Sequence, residues 1–239
     1  MQAMIFAAGL GTRLRPITDS KPKALVEING KTLLERNVEK LVSYGIKHII
    51  INVHHFADML TKYILGLQKK YSCELIVSDE KELLLNTGGG LLYAKDLFLP
   101  NEPILLHNVD ILSDLDFSAF EKTFLSSHPL ALLAVQQRET QRYFIFNNQK
   151  QLCGWTNLFT NERIITRSCK EEFLFAFSGI HIISPEIFAY ITQRGVFSIT
   201  DTYIELSKKY PILAYPHTGF WIDVGKPSAI QKAQEVFKN

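Results

Sequence analysis

An α/β fold with a mixed, mostly parallel central sheet flanked by helices is predicted for this 239-residue chain by three observations. Through the first half, short β-branched runs alternate with segments of helical spacing, the pattern of parallel strands with helices on both faces. The first run, Met4-Ile-Phe-Ala-Ala8, ends in Gly9 and Gly11, and Thr12, Arg13, Arg15 and Lys23 follow closely. In the second half, strand-like runs broken by short polar stretches predict small antiparallel additions.

Residues 3–8 read as the first strand. Residues 32–44 place Leu33, Leu34, Val38, Leu41 and Val42 at helical spacing, and Gly45 suits the position just past the helix end. A short β-branched run over 48–53 is the second strand, 57–67 a helix, and 74–78 a third strand. A helix over 90–97 is expected to carry the glycine run at its N-terminal end, with Pro100 beyond it. Residues 103–108 form another buried strand. Ser118 and Glu121 have capping-box spacing and open a helix toward Phe124. Strands then follow at 130–136, 143–147, 152–157 and 173–183, the last interrupted by Ser178-Gly179. Helices close the chain at 185–191, 200–209 and 227–237. No repeat or long linker separates the parts, so one domain over 1–239 is expected, with a first half at about 1–116 and a second at about 117–239.

Glycines let backbone N–H groups approach phosphate oxygens, arginine offers a fork of donors, and lysine adds a compact charge. The loop after the first strand therefore reads as a polyphosphate site. It is not the dinucleotide fingerprint, because Leu14 stands where the third glycine belongs, nor a kinase-type P-loop, because no Gly-Lys-Ser/Thr follows. The net charge of +2 is short of a nucleic-acid binder's balance, and no run of apolar residues is long enough to span a membrane. The N-terminus lacks the features of a secretory signal. Cys73, Cys153 and Cys169 share no metal-type spacing and read as thiols in a reducing cytoplasm.

Phe6-Ala-Ala-Gly-Leu-Gly-Thr-Arg-Leu-Arg-Pro-Ile-Thr18, with Pro22-Lys23-Ala-Leu25, resembles the signature of the sugar-1-phosphate nucleotidyltransferases. The likeness continues in order through Asn86-Thr-Gly-Gly-Gly90, His107-Asn-Val-Asp110, Phe177-Ser-Gly-Ile180 and Trp221-Ile-Asp223-Val-Gly225. Within the family, the short length and the Thr-Gly-Gly-Gly loop look most like the N-acetylmuramate-1-phosphate uridylyltransferases, with the mannose-1-phosphate guanylyltransferases next. The resemblance implies a Rossmann-like nucleotide-diphospho-sugar transferase fold. It also implies nucleotidyl transfer from a nucleoside triphosphate to a sugar 1-phosphate, in a cytoplasmic monomer or homodimer with neither nucleic-acid nor membrane partners.

Carried over by motif, Arg13 would contact the β- and γ-phosphates, and Lys23 the α-phosphate and the attacking phosphate. Gly9, Gly11 and Thr12 would donate hydrogen bonds to phosphate. Arg15 either joins them or braces the loop. Backbone groups of Ala7, Ala8 and Gly9, with Thr87 and Gly88, would recognise the base, glycine at 88 letting it lie close to the chain. Asn108, Ser178 and Gly179 would recognise the sugar, since a polar break inside an apolar strand exposes donors to a pocket. Asp110 and Asp223, each following a buried strand, would hold Mg²⁺, and the family alone implies that they converge. Asp114 and Asp116 read as helix-start residues, and Trp155 and Trp221 as unassigned candidates for the sugar pocket. The chain departs from the family pattern at Ala24, Glu27, Asn86 and Val109. A non-catalytic nucleotide-sugar sensor on the same fold is the alternative of another class, and the presence of Arg13, Lys23, Asp110 and Asp223 argues against it.

Overall fold

The computed structural model describes residues 1–237. β1 (Gln2–Phe6) is buried throughout and leads into short 3-10 turns and a small ribbon of β2 (Glu27–Ile28) and β3 (Lys31–Thr32). α1 (Leu33–Tyr44) is capped by Thr32, whose side chain accepts from Glu35 N, and ends at Gly45 with φ 104°. β4 (His48–Val53), α2 (Ala57–Lys70) and β5 (Glu74–Asp79) follow, then α3 (Asn86–Tyr93) and β6 (Ile104–Asn108). The strands β5, β4, β1 and β6 lie side by side in that order, all parallel. The chain leaves β1 in one direction and returns to its other side, so the switch point falls between β1 and β4 on one hand and β6 on the other. Ligands of α/β sheets bind at the carboxyl ends of strands at such a point.

The second half extends the sheet with antiparallel partners. β7 (Ile111–Ser113), α4 (Phe117–Ser127), β8 (Ala131–Gln136), β9 (Arg142–Phe146), β10 (Leu152–Asn157) and β11 (Glu162–Ile165) lead to the long β12 (Phe173–Ile183). β12 pairs antiparallel with β6, β8 and β9 and thereby joins the two halves in one ten-stranded sheet. Its pairing with β8 slips between Phe177 and His181, around Gly179 at φ +72°. Single-turn α5 (Ile187–Tyr190), α6 (Ile199–Leu206), β13 (Ile212–Pro216), β14 (Trp221–Asp223) and α7 (Pro227–Val236) complete the fold. β13 runs parallel to β8, and β14 pairs with β7. Two apolar clusters pack against the faces of the sheet, one built around α1, α2 and α4, the other around α3 and α6.

Several local expectations are corrected. α3 begins at Asn86, so its glycines are interior rather than terminal. A Cβ at Gly88 would lie 2.4 Å from the Phe197 ring, one at Gly89 2.3 Å from Gly195 O, and one at Gly90 2.5 Å from Glu80 Oε1. Close packing on three sides offsets a propensity cost of about 1 kcal/mol per glycine. α4 is capped by Asp116, whose carboxylate accepts from Ser118 N and Ala119 N. Glu121 is engaged instead by the Tyr44 hydroxyl, so no capping box forms at Ser118. The strand β13 has no counterpart in the sequence reading. Its five residues follow α6 after a short turn and offer no alternation that separates them from a loop.

Candidate active site

The loop after β1 is folded back on itself by Gly11. At φ +66° it occupies the left-handed region, and a Cβ there would lie 3.0 Å from Thr18 and 3.1 Å from Lys23. Thr18 Oγ1 donates to Gly11 O at 2.8 Å and fixes the return. Lys23 thus comes back to the end of β1 as a buried side chain opening a 3-10 turn. Thr12 and Arg13 begin another such turn and are exposed, while Arg15 pairs with Asp19 at 3.2 Å, as a brace of the loop would.

A cavity of about 200 Å³ opens beside this loop, lined by Phe6, Ala8, Gly9, Asn52, Thr87 and Asn108, with Lys23 and Asp110 also on its wall. Gly9 has open space where a side chain would stand. The N–H groups of Ala7 and Ala8 are not free for a base. Both donate to Asn52 Oδ1, at 2.7 and 3.3 Å. Asn52 Nδ2 in turn donates to Glu80 Oε1 at 2.7 Å, and Glu80 Oε2 accepts from Leu85 N. Burial pushes the Glu80 carboxyl above its usual range. Asn52 and Glu80 were missed from the sequence, although an asparagine near the end of an Ile-Ile-Ile strand is a visible signal. Thr87 Oγ1 accepts from Ile199 N at 3.0 Å, tying α3 to the start of α6. Gly88 donates its N–H to Phe197 O and lies against that residue's ring, so its missing side chain serves packing.

Asp110 and Asp223 converge because β7 and β14 pair directly after and before them. Asp223 stands opposite Ile111, and Val224 N donates to Asp110 O at 2.8 Å. Each aspartate has a cation from the first loop. The Lys23 ammonium bonds the Asp110 carboxylate, and Arg13 Nη2 lies 3.6 Å from Asp223 Oδ2. Gly225 permits the second contact, since a Cβ there would lie 2.6 Å from both Arg13 Nη2 and Asp223 Oδ1. Burial, and then the charge of Asp110, raise the Asp223 carboxyl, with Lys23 and Arg13 opposing. Asp223 Oδ1 is buried without a hydrogen-bond partner. Two adjoining carboxylates with an unpaired buried oxygen fit a hard cation such as Mg²⁺, which takes one or two carboxylates together with substrate phosphates. Val109 fits its position without strain, donating its N–H to Phe6 O and accepting from Asn37 Nδ2.

On the sugar side, Asn108 lines the cavity and approaches Gly179, where a Cβ would lie 2.8 Å from Asn108 Nδ2. Ser178 is placed differently from the expectation. Its side chain is fully buried, and Oγ meets His217 Nε2 at 2.9 Å, so the hydroxyl points into the protein. What the slip in β12 frees is a pair of consecutive carbonyls. Phe177 O accepts from Arg138 Nη2 at 2.9 Å and Ser178 O from Trp221 Nε1 at 2.8 Å.

The chain matches the family model described as nucleotidyl transferase over residues 2–239. The chain belongs to the nucleotidyl transferase family. This transferase is 30% identical over 95% of its length to N-acetylmuramate alpha-1-phosphate uridylyltransferase of Caulobacter vibrioides, covering 93% of that protein. It is 31% identical to the enzyme of the same name from Neisseria meningitidis, covering 97% of it. It is also 30% identical to mannose-1-phosphate guanyltransferase beta-A of Xenopus laevis, of which the chain spans only 62%. Among solved structures it resembles UDP-glucose pyrophosphorylase from Acinetobacter baumannii, with TM-score 0.80 at 19% identity, covering 99% of this chain and 92% of that one. HddC from Yersinia pseudotuberculosis, complexed with GMP-PN, gives 0.78 at 22% identity with 99% of both chains covered. The transferase is an enzyme of the sugar-1-phosphate nucleotidyltransferase type. No helix among the described residues is long and apolar enough to cross a membrane.

Proposed function

We propose that this transferase uses UTP and an N-acetylated amino sugar 1-phosphate, with N-acetylmuramate 1-phosphate as the preferred acceptor. The observation that carries the choice of base is the near full-length match to two uridylyltransferases, against 62% of the guanyltransferase spanned. The small size of the cavity beside the first loop, about 200 Å³, supports the same reading.

In the reaction an oxygen of the sugar phosphate attacks the α-phosphorus in line, and the bond from that phosphorus to the oxygen bridging to the β-phosphate breaks. Two anions must meet, so catalysis rests on positioning and on positive charge aimed at phosphoryl oxygens. Arg13 moves from Asp223 to the departing pyrophosphate, and Lys23 from Asp110 to the α-phosphate. Asp110 and Asp223 would hold a divalent cation, which would supply Lewis-acid charge on the phosphoryl oxygens. Gly9, Gly11 and Thr12 present donors along the triphosphate, and Asn52 holds the end of β1 in place beneath the base.

Pyrophosphate release from a panel of triphosphates and sugar 1-phosphates tests the reading. The expected result is a preference for UTP over GTP of at least about tenfold in kcat/KM, the scale set by one unmatched buried hydrogen-bonding group. A preference for GTP with mannose 1-phosphate would overturn the uridylyl assignment.

A further inference from the structure

A second cavity, about 470 Å³, lies outside the base pocket, among the loop after β8, strands β9 to β12 and the start of α6. Its wall includes Arg138, Tyr143, Trp155, Phe177, Ser198 and Asp201. The segment 197–199 separates it from the base pocket, since Phe197 O accepts from Gly88 N and Ile199 N donates to Thr87. Aromatic faces with a few hydroxyl and charged groups suit a sugar ring and its substituents.

We propose that Arg138 receives the phosphate of the acceptor sugar 1-phosphate, whose sugar lies in this cavity. The inference rests on the sugar-1-phosphate transferase reaction and not on which base or sugar is used. Arg13 is drawn to the departing pyrophosphate and Lys23 is shared between the α-phosphate and the attacking phosphate, so the attacking phosphate calls for a second cation. Arg138 stands where one is required. Its guanidinium lies 3.9 Å above the Trp221 ring, in the strand that ends at Asp223, and it lines the cavity. The stacking and the bond from Nη2 to Phe177 O fix the plane of the fork, and Nε is buried, which leaves Nη1 and the second proton of Nη2 as its donor end. Trp221 stands two residues before Asp223 in β14, so the stacked guanidinium lies on the aspartate side of the cavity. A guanidinium held in one plane offers a phosphate two parallel donors at little further entropic cost. Arg138 reaches this place because the slip of β12 at Gly179 exposes the carbonyls of Phe177 and Ser178, which hold Arg138 and Trp221 side by side.

The test uses the full chain with Mg²⁺ and the substrate pair that turns over fastest in the panel. Arg138→Gln is expected to lower kcat/KM for the sugar 1-phosphate by about tenfold or more, while KM for the triphosphate stays within about threefold. Arg138→Lys should recover part of the loss, and KM for pyrophosphate in the reverse reaction should not move. Calorimetric titration of the triphosphate reports whether each variant retains a folded nucleotide site. The proposal is overturned if acceptor kcat/KM in Arg138→Gln stays near wild type. It is equally overturned if both substrates and pyrophosphate weaken together, or if Arg138→Lys alone binds nucleotide and matches wild type for the acceptor. Wild-type protein inert with every pair would instead remove the reaction class, and this inference with it.

Discussion

Arg13 reaches to 3.6 Å from Asp223 across the space left by the missing side chain of Gly225. With Lys23 on Asp110, each of these two cations of the first loop rests on one of the two aspartates. The pairs keep the carboxylates compensated, and a triphosphate that drew the cations away would leave both carboxylates for a divalent cation to compensate.

Gly225→Ala tests that arrangement. The added methyl meets the far end of half-exposed Arg13 and, as closely, the Asp223 carboxylate, so the variant forces the pair apart as a unit. The expected outcome is a kcat lower by about tenfold or more with little change in Tm, measured by steady-state kinetics and thermal unfolding. Arg13→Lys should be poor for the same reason, losing roughly 2–4 kcal/mol of transition-state stabilisation, because a point charge does not replace a fork. Wild-type kinetics in both variants would take Arg13 out of the reaction.

Removal of divalent cation should abolish turnover. Asp110→Asn and Asp223→Asn should each lower kcat by at least ~10²-fold, the scale of one lost preorganised charge contact. Turnover assays in excess chelator, followed by Mg²⁺ add-back, check the first point. Undiminished activity in chelator or in both variants would refute the metal assignment.

Asn52→Ala leaves the N–H groups of Ala7 and Ala8 without their acceptor and Glu80 Oε1 without its donor. A stability loss of about 1–3 kcal/mol is expected from denaturant unfolding. KM for the triphosphate should rise as well, because the end of β1 forms the floor of its pocket. A variant as stable as wild type with an unchanged KM would show that the Asn52 contacts are dispensable.

Two buried histidines set the acid limit. Burial pushes His107 down to about 4 and His181 to about 3, from the usual 6.5. Between those values and 6.5 the unfolded chain binds more protons than the native one, so stability is full above pH 6.5 and falls as pH drops. For His107 the loss should reach roughly 3 kcal/mol by pH 4. Glu80, whose carboxyl is raised, acts in the opposite sense, so the comparison with His107→Gln isolates the imidazole. Urea titrations of both proteins at pH 7 and pH 4 give the answer, and equal slopes would exclude His107 as the source.

The sequence by itself determined the alternation of strand and helix in the first half, and its motifs singled out the Gly9-to-Lys23 loop and the two aspartates that the fold brings together. Those features are written in local period and in motifs, and local backbone preferences make them legible. It did not determine where side chains point once strands are paired. Asn52 takes the amides of residues 45 and 44 positions away, and Ser178 turns to His217, 39 positions on. Gly88 packs against the ring of Phe197, and Arg138 finds Trp221 where β12 slips at Gly179. A polar side chain in an apolar strand announces that it needs a partner. Which partner it meets depends on register and on the packing of distant elements, and the tertiary fold alone brings those together.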